Sequence, residues 1–226
     1  MPIVTIEPDA LSHLILAALE TSTTKNIDSE HAYVEVDGLL WGHPSLDDDS
    51  YTISVASTML SSARRPDSVE RSYKSEQLHQ QFFSAFFPQL QLVGHFHSHP
   101  YPRMTTRQLL KEHCCFSEAD LKMFRSSDFR VGLVITLTRI NDDYLFADYP
   151  FSEENDYSIV NLCFSNVIIY IKVYIFKYTS KTKRLLKDED VYLHLPSIFG
   201  IYSPIYVENS CDANIIVPRR GRPTEK

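Results

Sequence analysis

Gln91-Leu92-Val93-Gly94-His95-Phe96-His97-Ser98-His99-Pro100 is the stretch on which the reading of this chain turns. Its apolar, aromatic-containing run reads as a strand from Leu90 to His97, and Pro100 closes it because proline cannot donate to a ladder. Residues two apart on a strand share a face. His95, His97 and His99 therefore project together. Two imidazoles at one strand end, His97 and His99, can fill two positions of a tetrahedral zinc site. The blander reading makes them half-exposed strand histidines. His95 lies on the same face and competes as a ligand.

Downstream, Ser117-Glu118-Ala119-Asp120 precedes an apolar run containing Leu121 and Phe124. One reading is a helix start in which Ser117 caps and Asp120 reaches back, as in a capping box. The other makes Asp120 the third metal ligand and turns the Ser117 hydroxyl toward the open coordination position. Upstream, Glu35-Val36-Asp37-Gly38-Leu39-Leu40-Trp41-Gly42 places a carboxylate on an otherwise apolar strand. Alone, Glu35 is a solvent-face residue. Beside a metal it becomes a general base for a metal-activated water.

Taken together, these three pieces resemble the JAMM/MPN+ (JAB domain) metalloproteases, zinc isopeptidases that release ubiquitin or ubiquitin-like proteins. The carriers are Glu35 with Gly38-Leu39-Leu40-Trp41-Gly42, then His97-Ser98-His99-Pro100, then Ser117 with Asp120. The resemblance covers roughly residues 1–150. It implies one Zn²⁺ per chain on His97, His99 and Asp120, with Glu35 and Ser117 as the catalytic residues. Glu35 takes the water proton and passes it to the leaving amine, and Ser117 stabilises the oxyanion. It also implies that the tail of a ubiquitin-like protein pairs with a strand edge beside the site. Some bacterial relatives work beside ubiquitin-like proteins in antiviral systems.

The sequence departs from the family pattern at two places. Pro100 to Ala119 is 20 residues, about ten more than the family spacing, and a loop lengthens at little entropic cost. The insert, Tyr101 to Phe116, carries His113, Cys114 and Cys115, all able to ligate zinc; it either displaces Asp120 and leaves a metal-free scaffold, or bulges out over the site, where it is a gate or a passive surface loop. The second departure is His95, where the family often has an aromatic residue. A non-catalytic scaffold of the same fold and a zinc amidohydrolase on another substrate are the competing functions.

The rest of the chain reads as an α/β (α+β layered) protein, a mixed central sheet flanked by helices. Val4 to Ile6 reads as a strand. Pro8-Asp9 opens a helix with Leu11, Leu14, Ile15, Ala18 and Leu19 on one face. Ala32 to Val36, Leu39 to Trp41 and Tyr51 to Ala56 read as strands, and Met59 to Arg71 as a loop. Ser75 to Phe86 reads as a helix with Leu78, Phe82 and Phe86 on one side. A helix runs from Ser117 through Phe124, and Phe129 to Thr138 is a strand with Tyr144 to Tyr149 as its hairpin partner.

The expected division is 1–150 for the metalloprotease domain, 151–217 for a β-rich C-terminal extension packed on it, and 218–226 for a basic flexible tail. In the extension, Asn166 to Tyr178 is either a core strand or an exposed edge. A short strand follows at Val191 to Leu195.

Composition narrows the classes further. Of 226 residues, 22 are Lys or Arg and 29 are Asp or Glu, a net charge of −7. That balance argues against nucleic-acid binding, which wants a basic footprint. Six glycines are sparse for this length and argue against a Gly-rich nucleotide cradle. No apolar stretch approaches the ~20 residues that span a bilayer. The cysteines, Cys114, Cys115, Cys163 and Cys211, form no C-x-x-C pair. With no signal-peptide pattern at the N-terminus, they point to a cytoplasmic protein. The oligomeric state is left open.

Overall fold

A computed structural model of the chain describes residues 1–23, 34–46, 49–60, 63–64, 69–70, 72–101, 114–139, 157–164, 167–178, 183–187, 190–195, 205–207 and 213–216. In chain order the elements begin with β1 (Ile3–Ile6), α1 (Pro8–Thr23), β2 (Asp37–Pro44) and β3 (Tyr51–Thr58). Two-residue strands β4 (Ala63–Arg64) and β5 (Val69–Glu70) precede α2 (Tyr73–Phe86) and β6 (Gln91–Tyr101). Then come α3 (Glu118–Ser126), β7 (Val131–Arg139), β8 (Ile159–Phe164) and β9 (Val167–Tyr178). The short strands β10 (Lys183–Leu185), β11 (Tyr192–His194), β12 (Ile205–Val207) and β13 (Ala213–Ile216) complete the described chain.

The main sheet runs β11-β1-β3-β2-β6-β7-β9-β8-β13-β12, with β10 also pairing β9. It is mixed: β6 pairs β2 antiparallel and β7 parallel. The histidine-bearing strand therefore sits inside the sheet with both edges paired. Strand β9 is likewise interior, antiparallel to both β7 and β8, and buried from Val167 to Phe176. That places the long apolar run in the core. The antiparallel neighbour of β7 is β9; the hairpin partner expected at Tyr144 to Tyr149 lies outside the described residues.

Each sheet face buries its own cluster. On one face Ala10, Leu11, Leu14 and Ala18 of α1 pack against Val36, Leu40, Phe96 and Ile135. Pro8 suits the first helical position, where its missing N–H removes no bond. On the other face Phe83 of α2 and Phe124 of α3 pack with Leu39, Trp41, Phe116, Phe129, Val134 and Phe176. Helices on both faces of a mixed sheet make the fold α/β.

Helix α2 departs from the expectation. Leu78, Phe82 and Phe86 are 64%, 48% and 68% exposed, and Phe83 is the buried residue, stacked on Trp41 with ring centroids 4.0 Å apart. Consecutive aromatics at 82–83 and 86–87 give the helix two apolar stripes about 100° apart. Periodicity cannot choose between them; the flat indole of Trp41 does. The first strand segment is also displaced. Residues 34–36 precede β2, which begins at Asp37 and runs unbroken through Gly38. Residues 32–33 lie outside the described part.

Candidate metal centre

Strand alternation puts His95, His97 and His99 on the α3 face of the sheet, with Phe96 and Ser98 on the α1 face. His97 Nε2 lies 3.0 Å from His99 Nε2, and 3.5 Å from Asp120 Oδ2. The three donor atoms all fall within 4.8 Å of one another. A tetrahedral centre with ligand bonds of ~2.0–2.1 Å separates its donors by about 3.3–3.4 Å. The donor set and its spacing therefore fit a zinc ion.

Protonation favours the same use. Burial, reinforced by His99, pushes the His97 imidazole down to about 3, although Asp120 opposes the shift. At neutral pH His97 is neutral and offers a lone pair. Burial raises the Asp120 carboxyl, but the His97 ring and hydrogen bonds from Ser117 outweigh it and hold it below the ordinary carboxylate range.

Asp120 reaches this point from the first turn of α3. Ser117 is the N-cap: Asp120 N–H donates to Ser117 Oγ (3.2 Å), and Ser117 N–H donates to Asp120 Oδ2 (2.8 Å). Ser117 Oγ–H also donates to Asp120 Oδ2 (2.6 Å). The capping box and the metal-ligand reading thus coexist, because the cap aims the carboxylate. The Ser117 proton is committed to Asp120 in this conformation, not to an open coordination position.

Glu35 is buried, its Oε1 4.0 Å from His99 Nε2. The β2–β6 register pairs Asp37 with His97, so two rungs further Glu35 faces His99. The ladder changes character there. Ser98 N–H donates to Val36 O (2.8 Å), but Val36 N–H donates to the Ser98 side chain (3.0 Å). A hydroxyl stands where a strand carbonyl is usual. Ser98 was missed by sequence reasoning. Its signal was a polar residue on the core face of an apolar strand.

His95 is not part of the donor group. Its Nε2 lies 3.5 Å from Asp37 Oδ2, and both side chains are almost wholly buried. Its ring stacks on Phe129 instead.

An aromatic wall closes the other side. Phe116 stacks on His97 (centroids 5.7 Å) and on Tyr174 of β9 (4.1 Å). Tyr174 Oη accepts from Phe116 N–H (3.3 Å) and donates to Cys114 O (3.2 Å). Gly132 makes room for this wall, since a Cβ there would collide with the Phe116 ring. Cys114 is buried and Cys115 half-buried, both as free thiols. Neither joins the donor group found among the described residues. His113 and most of the insert lie outside the described residues.

A family model described as JAB1/Mov34/MPN/PAD-1 ubiquitin protease matches residues 2–120. The span contains Glu35, His97, His99, Ser117 and Asp120. The chain belongs to this family. A search of curated proteins returns no match. Among solved structures, protein DSY2949 from Desulfitobacterium hafniense is similar at 11% identity and a TM-score of 0.44, over 85% of this chain and 94% of that one. Among the described residues, no helix is long and apolar enough to cross a membrane.

Proposed function

We propose that the chain is a zinc-dependent isopeptidase that releases a ubiquitin-like protein from a conjugate or precursor. The observation that carries this reading is the meeting of His97, His99 and Asp120 donor atoms beside the buried Glu35 carboxylate. A Zn²⁺ held by those three residues supplies Lewis acidity toward a water and the scissile carbonyl. Glu35 Oε1 takes the proton of the attacking water and returns it to the leaving amine nitrogen. Ser117 orients Asp120; donation to a developing oxyanion requires its hydroxyl to rotate away from that carboxylate. The Phe116 and Tyr174 wall keeps water off the protein side of His97 and fixes the ring. A non-catalytic scaffold is the weaker reading, since it requires none of these side chains to converge.

The test is elemental analysis of the native protein joined to hydrolysis of ubiquitin-like fusions. The expected result is about one zinc per chain, as the donor set implies, lost in His97→Ala. Native protein without metal removes the enzyme reading. Metal with hydrolysis of small amides alone moves it to another substrate class.

A further inference from the structure

Strand β9 turns one face to the whole length of α3. Tyr174, Phe176 and Tyr178 alternate onto that face. Tyr174 bonds the approach to the helix, at Phe116 N–H and Cys114 O. Phe176 stacks flat on Phe124, with ring centroids 5.0 Å apart. Tyr178 Oη–H donates to Ser127 O at the helix end (2.9 Å). Beside it, Lys183 of β10 donates from Nζ to Phe124 O and, at 2.8 Å, to Ser127 O. The same ammonium lies 5.1 Å from the Phe176 ring centre and 5.2 Å from that of Tyr178, close enough for cation–π attraction. Arg130 covers the Tyr178 ring at 3.7 Å.

We propose that the β9–β10 hairpin clamps the carbonyl end of α3, and that Lys183 is a positioning residue for Asp120. The inference rests on the metal-centre reading above. Helix α3 has nine residues, and Phe124 is its only buried one. A helix this short is marginal unaided, and its last carbonyls have no partner inside the helix. Ser127 supplies two local bonds, N–H to Met123 O (3.0 Å) and Oγ–H to Phe124 O (3.1 Å). Those bonds travel with the helix and tie it to nothing else. The Ser117–Asp120 box at the other end is equally internal. Tyr178 and Lys183 come from 51 and 59 residues along the chain, so their bonds fix the helix to the sheet. A cation there also meets the negative end of the helix dipole.

Leverage carries the effect to the metal site. Asp120 stands four residues before Phe124, about 6 Å along the helix axis. On that ~6 Å arm a tilt of roughly 10° about Phe124 moves Asp120 by about 1 Å. Metal–ligand distances hold to within about 0.2 Å. A released carbonyl end therefore lowers metal affinity before it unfolds the helix.

Chelator competition for zinc in the full chain, with urea unfolding of the metal-free protein alongside, tests the assignment. Lys183→Met keeps the apolar stem and removes the donors. It should weaken zinc binding about 10–100-fold, the range for groups that orient a ligand. Lys183→Arg should restore most of the loss. Tyr178→Phe removes one donor, keeps the ring and should weaken zinc several-fold; it carries the test if Lys183→Met does not fold. Arg184→Met, exposed on the same strand, should leave zinc binding unchanged. The clamp is overturned if Lys183→Met and Tyr178→Phe both hold zinc as the parent does, or if zinc loss merely follows the unfolded fraction measured in urea. A parent chain that binds no zinc ends the metal reading instead, and hydrogen exchange of the metal-free protein then decides the clamp alone. Amides of α3 should exchange about 10-fold faster in Lys183→Met with those of α1 unchanged, as expected for local opening. Equal exchange in α3 overturns it.

Discussion

Ser98→Ala tests whether the residue between His97 and His99 places Glu35. Ser98 is fully buried, and its Oγ is the acceptor for Val36 N–H at 3.0 Å. Alanine leaves that N–H in the sheet interior with no acceptor, a cost of about 1–3 kcal/mol in stability. Of the two bonds tying residue 36 to β6, only Ser98 N–H to Val36 O at 2.8 Å remains. Glu35 is one residue away and outside any strand, so it is held less firmly on the β6 side. A 1 Å misplacement of a reacting group costs about 100-fold in rate, so kcat should fall by ~10–100-fold. His97 and His99 stay in the β6–β7 ladder, so zinc content should not change.

Ser98→Thr keeps a hydroxyl and suits a strand. It should recover most of kcat, minus an overpacking cost of ~1–3 kcal/mol in stability from the extra methyl at a sealed site. The assays are urea unfolding, elemental analysis and turnover of a ubiquitin-like fusion. Full kcat and unchanged stability in Ser98→Ala refute the anchoring role. Loss of zinc in the same variant shows instead that Ser98 holds β6 itself.

Glu35→Gln should keep zinc while turnover falls ~100-fold or more, the range for a general base; steady-state kinetics decide. Ser117→Ala removes the cap and the bond that aims Asp120, so stability should drop about 1 kcal/mol and zinc should dissociate more readily in a chelator competition. Gly132→Ala drives a methyl into the Phe116 ring; an overpacking loss of ~1–3 kcal/mol should appear as a lower Tm and disturbed near-ultraviolet dichroism. In metal-free protein His97 binds no proton until pH nears 3, whereas the unfolded chain protonates it below about 6.5. Between those values the unfolded state holds more protons, so stability is fully present above pH 6.5 and declines as pH falls toward 3. Urea midpoints across that range should show the decline, and a shallower slope in His97→Gln.

Sequence alone determined the local parts of this protein, because their causes are local. The alternation of β6 set three histidines on one face and Ser98 on the other. Ser-x-x-Asp before an apolar run set both the start of α3 and the direction of the Asp120 carboxylate. The spacing of Leu11, Leu14 and Ala18 set the buried face of α1. Tertiary structure decided what each face meets. His95 and His97 are equivalent by strand period; in the fold Asp120 comes to His97, while the His95 ring lies on Phe129 with Asp37 of β2 beside it. The length of the insert could not say whether Asp120 returns to His97; the packing of Phe116 against Tyr174, on a strand far along the chain, brings it back. The two aromatic stripes of α2 were equally apolar until Trp41 claimed Phe83. Periodicity fixes the direction of a side chain relative to its own backbone, but the partner across the gap comes from a distant segment, and only the folded chain supplies it.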